Sequence, residues 1–285
     1  MPTLILGPRQ TADSRQLWRA GSQLGWRVER LATWRIPDDL LKSPEPILYV
    51  EALFAPTLAE SFGIRLVEPP EDWLPSLPPE YRGRTAEYTT AGVARRNPAP
   101  MFVKPPNDKS FAAAVCCGHE LPDFVADDAP VIVQEVVAWE KEFRCFVLDR
   151  DLRTFSVYLR GGTLQNASGY ESTDAEDAEL QQVVRGVLAD ARVMLPRAVV
   201  MDVGVIRSRG WAVVELNAAW GSGIYGCDPV EVLGVIRHAV EGGTRGGRGD
   251  QGVAQLSTDK PGTAAKSESV VTTVQLPSVK AMAAI

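Results

Sequence analysis

A chain of 285 residues, 45% apolar and 23% charged, has the balance of a globular protein with room for one large or two ordinary domains. Its formal net charge of −6 argues against a general affinity for nucleic acid or acidic membrane surfaces. Four cysteines without a C-x-x-C spacing and no apolar run of bilayer length set the expectation of a protein of a reducing cytoplasm, with neither disulfide framework, zinc site nor membrane span.

The first third alternates strands and helices. TLILG (3–7) reads as a strand. Residues 11–24 place Leu17, Ala20, Gly21 and Leu24 at helical spacing behind a possible cap at Thr11. WRVERL (26–31) and PILYVE (46–51) are strand-like, ALFAPTLAESFG (52–63) is helical, and IRLVEP (64–69) is strand-like again. This order predicts a small parallel α/β domain. Prolines make 69–81 a loop or linker, which puts a domain boundary around 82–96.

The middle of the chain changes character. PMFVKPP (100–106), VIVQEVV (131–137), KEFRCFVLD (141–149) and RTFSVYL (153–159) read as strands, the later ones separated by tight turns such as Asp149–Leu152, which implies antiparallel hairpins. An amphipathic helix is expected over 174–194, capped among Ser172–Asp174. AVVMDVGVI (198–206) and WAVVELN (211–217) follow, joined by the turn-forming Arg207-Ser208-Arg209-Gly210, and a last helix starts near Asp228-Pro229 and runs to about Val240. Residues 242–285 are rich in glycine and polar residues and carry no aromatic from 243 on, so this tail is expected to be disordered.

Chemistry concentrates in the second hairpin. Side chains alternate along a strand, so Glu215 and Asn217 share a face. If the strands pair through the 207–210 turn, Asp202 joins them and three oxygen ligands converge, a set that suits Mg²⁺, which takes one or two carboxylates and completes its shell with water and phosphate. Solvated acids on an exposed sheet are the plainer reading. The strongly apolar residues around them favour the metal, because buried strands make unpaired acids costly.

Two further blocks are less decisive. Lys104 and Lys109 in KPPNDKS could hold phosphate oxygens, or be ordinary surface lysines. No P-loop glycines accompany them. In QEVVAWEKEFRCFV (134–147), Glu142 and Arg144 share a face, fit for a ribose acid and a charge-neutralising arginine, or for an exposed ion pair. The G-x-G-x-x-G at Gly221–Gly226 lacks the following strand and acid of a dinucleotide fold, and is read as a loop that lets backbone approach phosphate or substrate. His119 and His238 have no orienting context for base catalysis, and no G-x-S-x-G occurs.

In order, KPPNDKSF, QEVVAWEKEFRCFV, VVMDVGVI and VVELNAAWGSGIYG resemble the ATP-grasp superfamily, and within it a small clade marked by an arginine and two lysines. The resemblance covers about residues 97–241. It implies an α/β (α+β) fold with a Rossmann-like domain over 1–96, an ATP-grasp domain of mainly antiparallel sheets over 97–241, and ATP-dependent carboxylate–amine ligation. By this resemblance Lys104 and Lys109 contact ATP phosphates, and Gln134, Glu135 and Val137 belong to the adenine hinge. Glu142 lies near the ribose, with Glu140 open as its alternative. Asp202, Glu215 and Asn217 hold Mg²⁺, Arg144 and Arg160 neutralise the phosphoryl group, and 104–119 forms part of a lid. The implied partners are small-molecule or peptide carboxylates and amines, with the oligomeric state open. An ATP-binding module without ligase activity and a kinase of the same fold are the rival readings.

Overall fold

The computed structural model describes residues 1–107 and 109–242. The expected disordered tail lies outside the described residues from 243 onward.

In chain order the elements are β1 (Thr3–Leu6), α1 (Ala12–Gln23), β2 (Arg27–Arg30), β3 (Pro46–Tyr49), α2 (Ala55–Phe62), β4 (Arg65–Leu66), α3 (Trp73–Ser76), α4 (Pro79–Arg82), β5 (Ala86–Thr90), α5 (Ala91–Ala94), β6 (Met101–Lys104) and β7 (Ala114–Cys116). The second half adds β8 (Pro130–Gln134), β9 (Trp139–Leu148), β10 (Asp151–Arg160), β11 (Thr163–Leu164), α6 (Asp174–Ala189), β12 (Ala198–Ile206), β13 (Gly210–Ala218), α7 (Pro229–Ile236) and β14 (Val240–Glu241).

Three sheets carry the architecture. The N-terminal one is parallel, ordered β2-β1-β3. Its α1 starts at Thr11, whose hydroxyl accepts from the Ser14 N–H while the Ser14 hydroxyl accepts from the Thr11 N–H, each at 3.0 Å, so two otherwise orphaned amides are satisfied. The second sheet is antiparallel, ordered β5-β8-β6-β7. The third is also antiparallel, ordered β11-β10-β9-β12-β13. Mixed α/β with mainly antiparallel sheets is thus the observed class.

Alternation along β12 explains how the third sheet is covered. Val199, Met201 and Val203 face a core closed by α6, through Leu180, Val184 and Val187. Ala198 and Val200 face the opposite core, shared with β1, β3 and α7. Asp202 follows Val200 in the same row, on the side of the N-terminal layer.

Several expectations on where elements begin and end need correcting. The helix from 174 stops at Ala189, where Asp190 takes an extended backbone, φ −77° and ψ 117°. The last helix stops at Ile236, and Val240–Glu241 instead pair with Arg65–Leu66. The proline-rich stretch 69–81 is not a plain loop: it holds α3 and most of α4, with Trp73 and Leu74 buried. The segment read as boundary contains β5, hydrogen-bonded to β8. No periodic apolar run marks β5, since at this sheet edge its side chains are half-buried or exposed and none is fully buried.

Candidate active site

The β12–β13 hairpin closes through Ser208 and Gly210, both with positive φ. It sets Asp202 opposite Glu215 and Val200 opposite Asn217. A bulge follows at once, because Val203 pairs with Val213 and leaves Val214 without a partner. The three predicted metal ligands come together: the Asn217 amide nitrogen lies 2.9 Å from Glu215 Oε1 and 3.3 Å from Asp202 Oδ2. One donor atom can reach both carboxylates, and the Asn217 amide adds an oxygen of its own. An all-oxygen set around one point fits Mg²⁺.

Two cations already neutralise these acids. Arg144, opposite Asp202 on β9, donates from Nε and Nη2 to its two oxygens at 2.9 and 2.7 Å, and from Nη1 to the Gly223 carbonyl at 3.0 Å. Its guanidinium lies 5.2 Å from the Tyr158 ring centre and 4.8 Å from that of Tyr225. Burial disfavours the charge on Arg144, but Asp202 outweighs it and holds the arginine above its ordinary pKa. Lys104, at the end of β6, pairs with Glu215 across the cleft between the second and third sheets. Burial lifts the Glu215 carboxyl, and the lysine overrides this and brings its pKa down to about 2.

Glu142 shares the Arg144 face. Its carboxylate accepts from the Tyr158 hydroxyl at 2.9 Å, and burial pushes its pKa up to about 7, with Asp202 and Glu215 adding to the rise. Glu140 is exposed and lies 3.7 Å from Arg207. Of the two candidate ribose acids, the fold therefore turns Glu142 toward the acid cluster and Glu140 outward. Gln134 ends β8, buried on the same strand face as Ile132, which lies opposite Lys104. Glu135 is drawn to Arg209 at 2.6 Å and Val137 is half-buried in the connection to β9.

Two predicted residues stand apart. Arg160 grips Glu176 on α6 at 2.7 and 2.9 Å, alongside Lys141, on the side of the sheet away from Asp202. Lys109 is exposed beyond β6.

Other residues join the site unannounced. Arg84 lies in the 82–96 segment where the domain boundary was expected, yet it is buried between Gln134 and the carbonyls of Val213 and Val214. Asp13, in the first turn of α1, accepts from the Ile224 N–H at 3.0 Å, and the Tyr49 hydroxyl is 3.3 Å from it and 3.1 Å from the Ser222 carbonyl. The loop after Asn217 is thereby fastened to the carboxyl end of the parallel sheet. A short acid–tyrosine pair separated by 36 positions leaves no local pattern. Nor does β5, next to Arg84, carry a periodic pattern that would have marked it.

A lysine-bearing antiparallel sheet facing an antiparallel sheet that carries paired carboxylates defines a nucleotide-binding α/β protein of the ATP-grasp class. Residues 81–235 match the model of an ATP-grasp domain family, the second family of the clade named for one arginine and two lysines. The chain belongs to that family. Solved structures share the fold at low identity. D-cycloserine synthetase DcsG aligns at TM-score 0.55 and 12% identity over 82% of this chain and 98% of its own. The RimK domain ATP-grasp protein of Sphaerobacter thermophilus DSM 20745 aligns at 0.51 and 15% over 85% of this chain and 100% of its own. N5-carboxyaminoimidazole synthase of Aspergillus clavatus aligns at 0.50 and 11% over 83% and 77%. None of the curated proteins matches the chain in sequence. No helix among the described residues is long and apolar enough to cross a membrane.

Proposed function

We propose that this protein is an ATP-dependent carboxylate–amine ligase that works through an acyl-phosphate. The observation that carries the reading is the acid cluster of Asp202, Glu215 and Asn217, with Arg144 and Lys104 already against it. In this reading Asp202, Glu215 and Asn217 hold Mg²⁺, and Lys104 and Lys109 meet the phosphates. Gln134, Glu135 and Val137 border the base, with Glu142 beside the ribose. Bound Mg²⁺ supplies charge neutralisation on the phosphate oxygens.

A substrate carboxylate oxygen attacks the γ-phosphorus and ADP leaves. The nitrogen of an amine then attacks the acyl carbon, the carbon–oxygen bond to phosphate breaks, and the nitrogen loses a proton to solvent. Positioning and positive charge carry such a transfer, so no histidine is needed. Arg144 stands where it can shift between Asp202 and a negatively charged phosphoryl oxygen. Arg160 retains a role only if it leaves Glu176.

The division into a 1–96 domain, a 97–241 ATP-grasp domain and a tail belongs to the same proposal, as do the cytoplasmic setting and the small-molecule or peptide substrates. Incubation with Mg·ATP and pooled amino acids and short peptides, followed by mass spectrometry, tests it. Amide product with free phosphate is expected. Phosphate retained on the substrate would establish a kinase instead. Turnover that survives Glu215→Ala would remove the metal assignment.

A further inference from the structure

Arg84 is only 7% exposed, and its guanidinium is almost fully committed. Nη1 donates to the carbonyls of Arg82 and Val213 at 3.0 and 2.8 Å, and Nη2 to that of Val214 at 2.7 Å. β13 is an edge strand and Val214 is its bulged residue, so these carbonyls lack strand partners, and Arg84 satisfies them. The plane of the guanidinium is also held over Trp139, 5.0 Å from the ring centre. Glycine at position 204 leaves room for that ring: a Cβ there would come within 2.8 Å of it and 2.6 Å of the Lys141 carbonyl oxygen. Arg84 is thus clamped, and its remaining Nε–H has one direction to point. It donates to Gln134 Oε1 at 2.8 Å.

The consequence falls on Gln134. An arginine can only donate, so chemistry alone requires that the end of the amide facing it be the oxygen. The Nε2 group is then turned away from Arg84. Gln134 is only 5% exposed, and its Nε2, which has no protein acceptor among the described residues, is the part of the amide that solvent still reaches. A donor held in a fixed direction and reached only by solvent is available to a ligand that enters there. Gln134 shares its strand face with Ile132, which lines the cavity between the sheets together with Lys104, Glu215 and Leu216.

We propose that Arg84 is a positioning residue that holds the Gln134 amide with its NH₂ toward this cleft, where it donates to a ring-nitrogen acceptor of adenine. The proposal rests on the nucleotide reading of the same cleft. On either side of the adenine 6-amino group stands a ring nitrogen that accepts, N1 on one edge and N7 on the other. A carboxylate at 134 could only accept, and would read the amino group. A glutamine with its oxygen taken by Arg84 reads a ring nitrogen.

The test is calorimetric titration of the full chain with Mg·ATP, Mg·1-deaza-ATP and Mg·7-deaza-ATP. Wild type is expected to bind ATP more tightly than one of the two analogues by about tenfold, the worth of one well-placed hydrogen bond. In Arg84→Met that preference should vanish, with ATP affinity falling to that of the analogue. Gln134→Glu keeps the contact with Arg84 but loses the donor, and should erase the same preference even if Arg84→Met does not fold. A role for Arg84 in stability alone would leave the ratio of ATP to analogue unchanged. Equal binding of ATP and both analogues by wild type, or a preference that survives Gln134→Glu, overturns the proposal and leaves the nucleotide site standing. Failure of wild type to bind Mg·ATP removes both.

Discussion

The guanidinium of Arg144 closes on the Asp202 carboxylate through two parallel hydrogen bonds, at 2.9 and 2.7 Å, with the carboxylate wholly shut off from solvent. Removing either partner leaves a buried charge. Asp202→Ala should therefore lower stability by about 3–5 kcal/mol, whereas Asp202→Leu combined with Arg144→Leu should recover most of it. Urea unfolding of wild type and the two variants checks this, and a double variant no more stable than Asp202→Ala would speak against the pair.

Glu142 gives the fold a pH dependence of unusual sign for an acid. Burial raises its pKa to about 7, so between the unfolded value of about 4.3 and 7 the folded chain holds a proton that the unfolded chain has lost. Its contribution is whole below the lower value and falls as pH rises through the upper one. Glu142→Gln should flatten this decline and stabilise the protein by about 2 kcal/mol at pH 8, with little effect at pH 4. Melting temperatures across that range supply the comparison.

Glu215 behaves oppositely. Lys104 keeps its pKa at about 2 against burial, so the pair stabilises the fold above about pH 4.3 and loses that contribution as pH falls toward 2. Lys104→Met should cost about 1–2 kcal/mol at pH 7, with the pair still partly open to solvent, and should remove that pH dependence in acid. An unchanged acid transition would place the lysine elsewhere in solution.

Two glycines call for opposite outcomes. A Cβ on Gly118 would lie 2.4 Å from the carbonyl oxygens of Ala94 and Arg95, which as backbone cannot step aside, so Gly118→Ala should destabilise by about 1–3 kcal/mol. Gly186 lies inside α6 with nothing within 4 Å of such a Cβ, and Gly186→Ala should stabilise by about 0.5–1 kcal/mol. Chemical denaturation measures both.

Much of the site could be read along the chain, because its chemistry follows from short-range rules. A period of two puts Glu215 and Asn217 on one face, and a four-residue turn brings Asp202 beside them. Apolar alternation likewise announced β9, β10, β12 and β13, each long and half or fully buried. The helix ends at Ala189 and Ile236 were less legible, since where a helix stops depends on what it packs against as well as on its propensity.

Residue types and their order therefore sufficed for the fold class and for which acids meet. The choice of partner for each charge came from contacts made across long stretches of chain. Arg84 reaches Val214 over 130 positions, Lys104 reaches Glu215 over 111, and Asp13 reaches Ile224 over 211. Arg160, equally basic and on a neighbouring strand, was drawn to Glu176 on the opposite side. A side chain's charge is written in the sequence, but the acceptor it meets is set by which sheet edges, bulged carbonyls and helix turns the fold brings within about 3 Å of it.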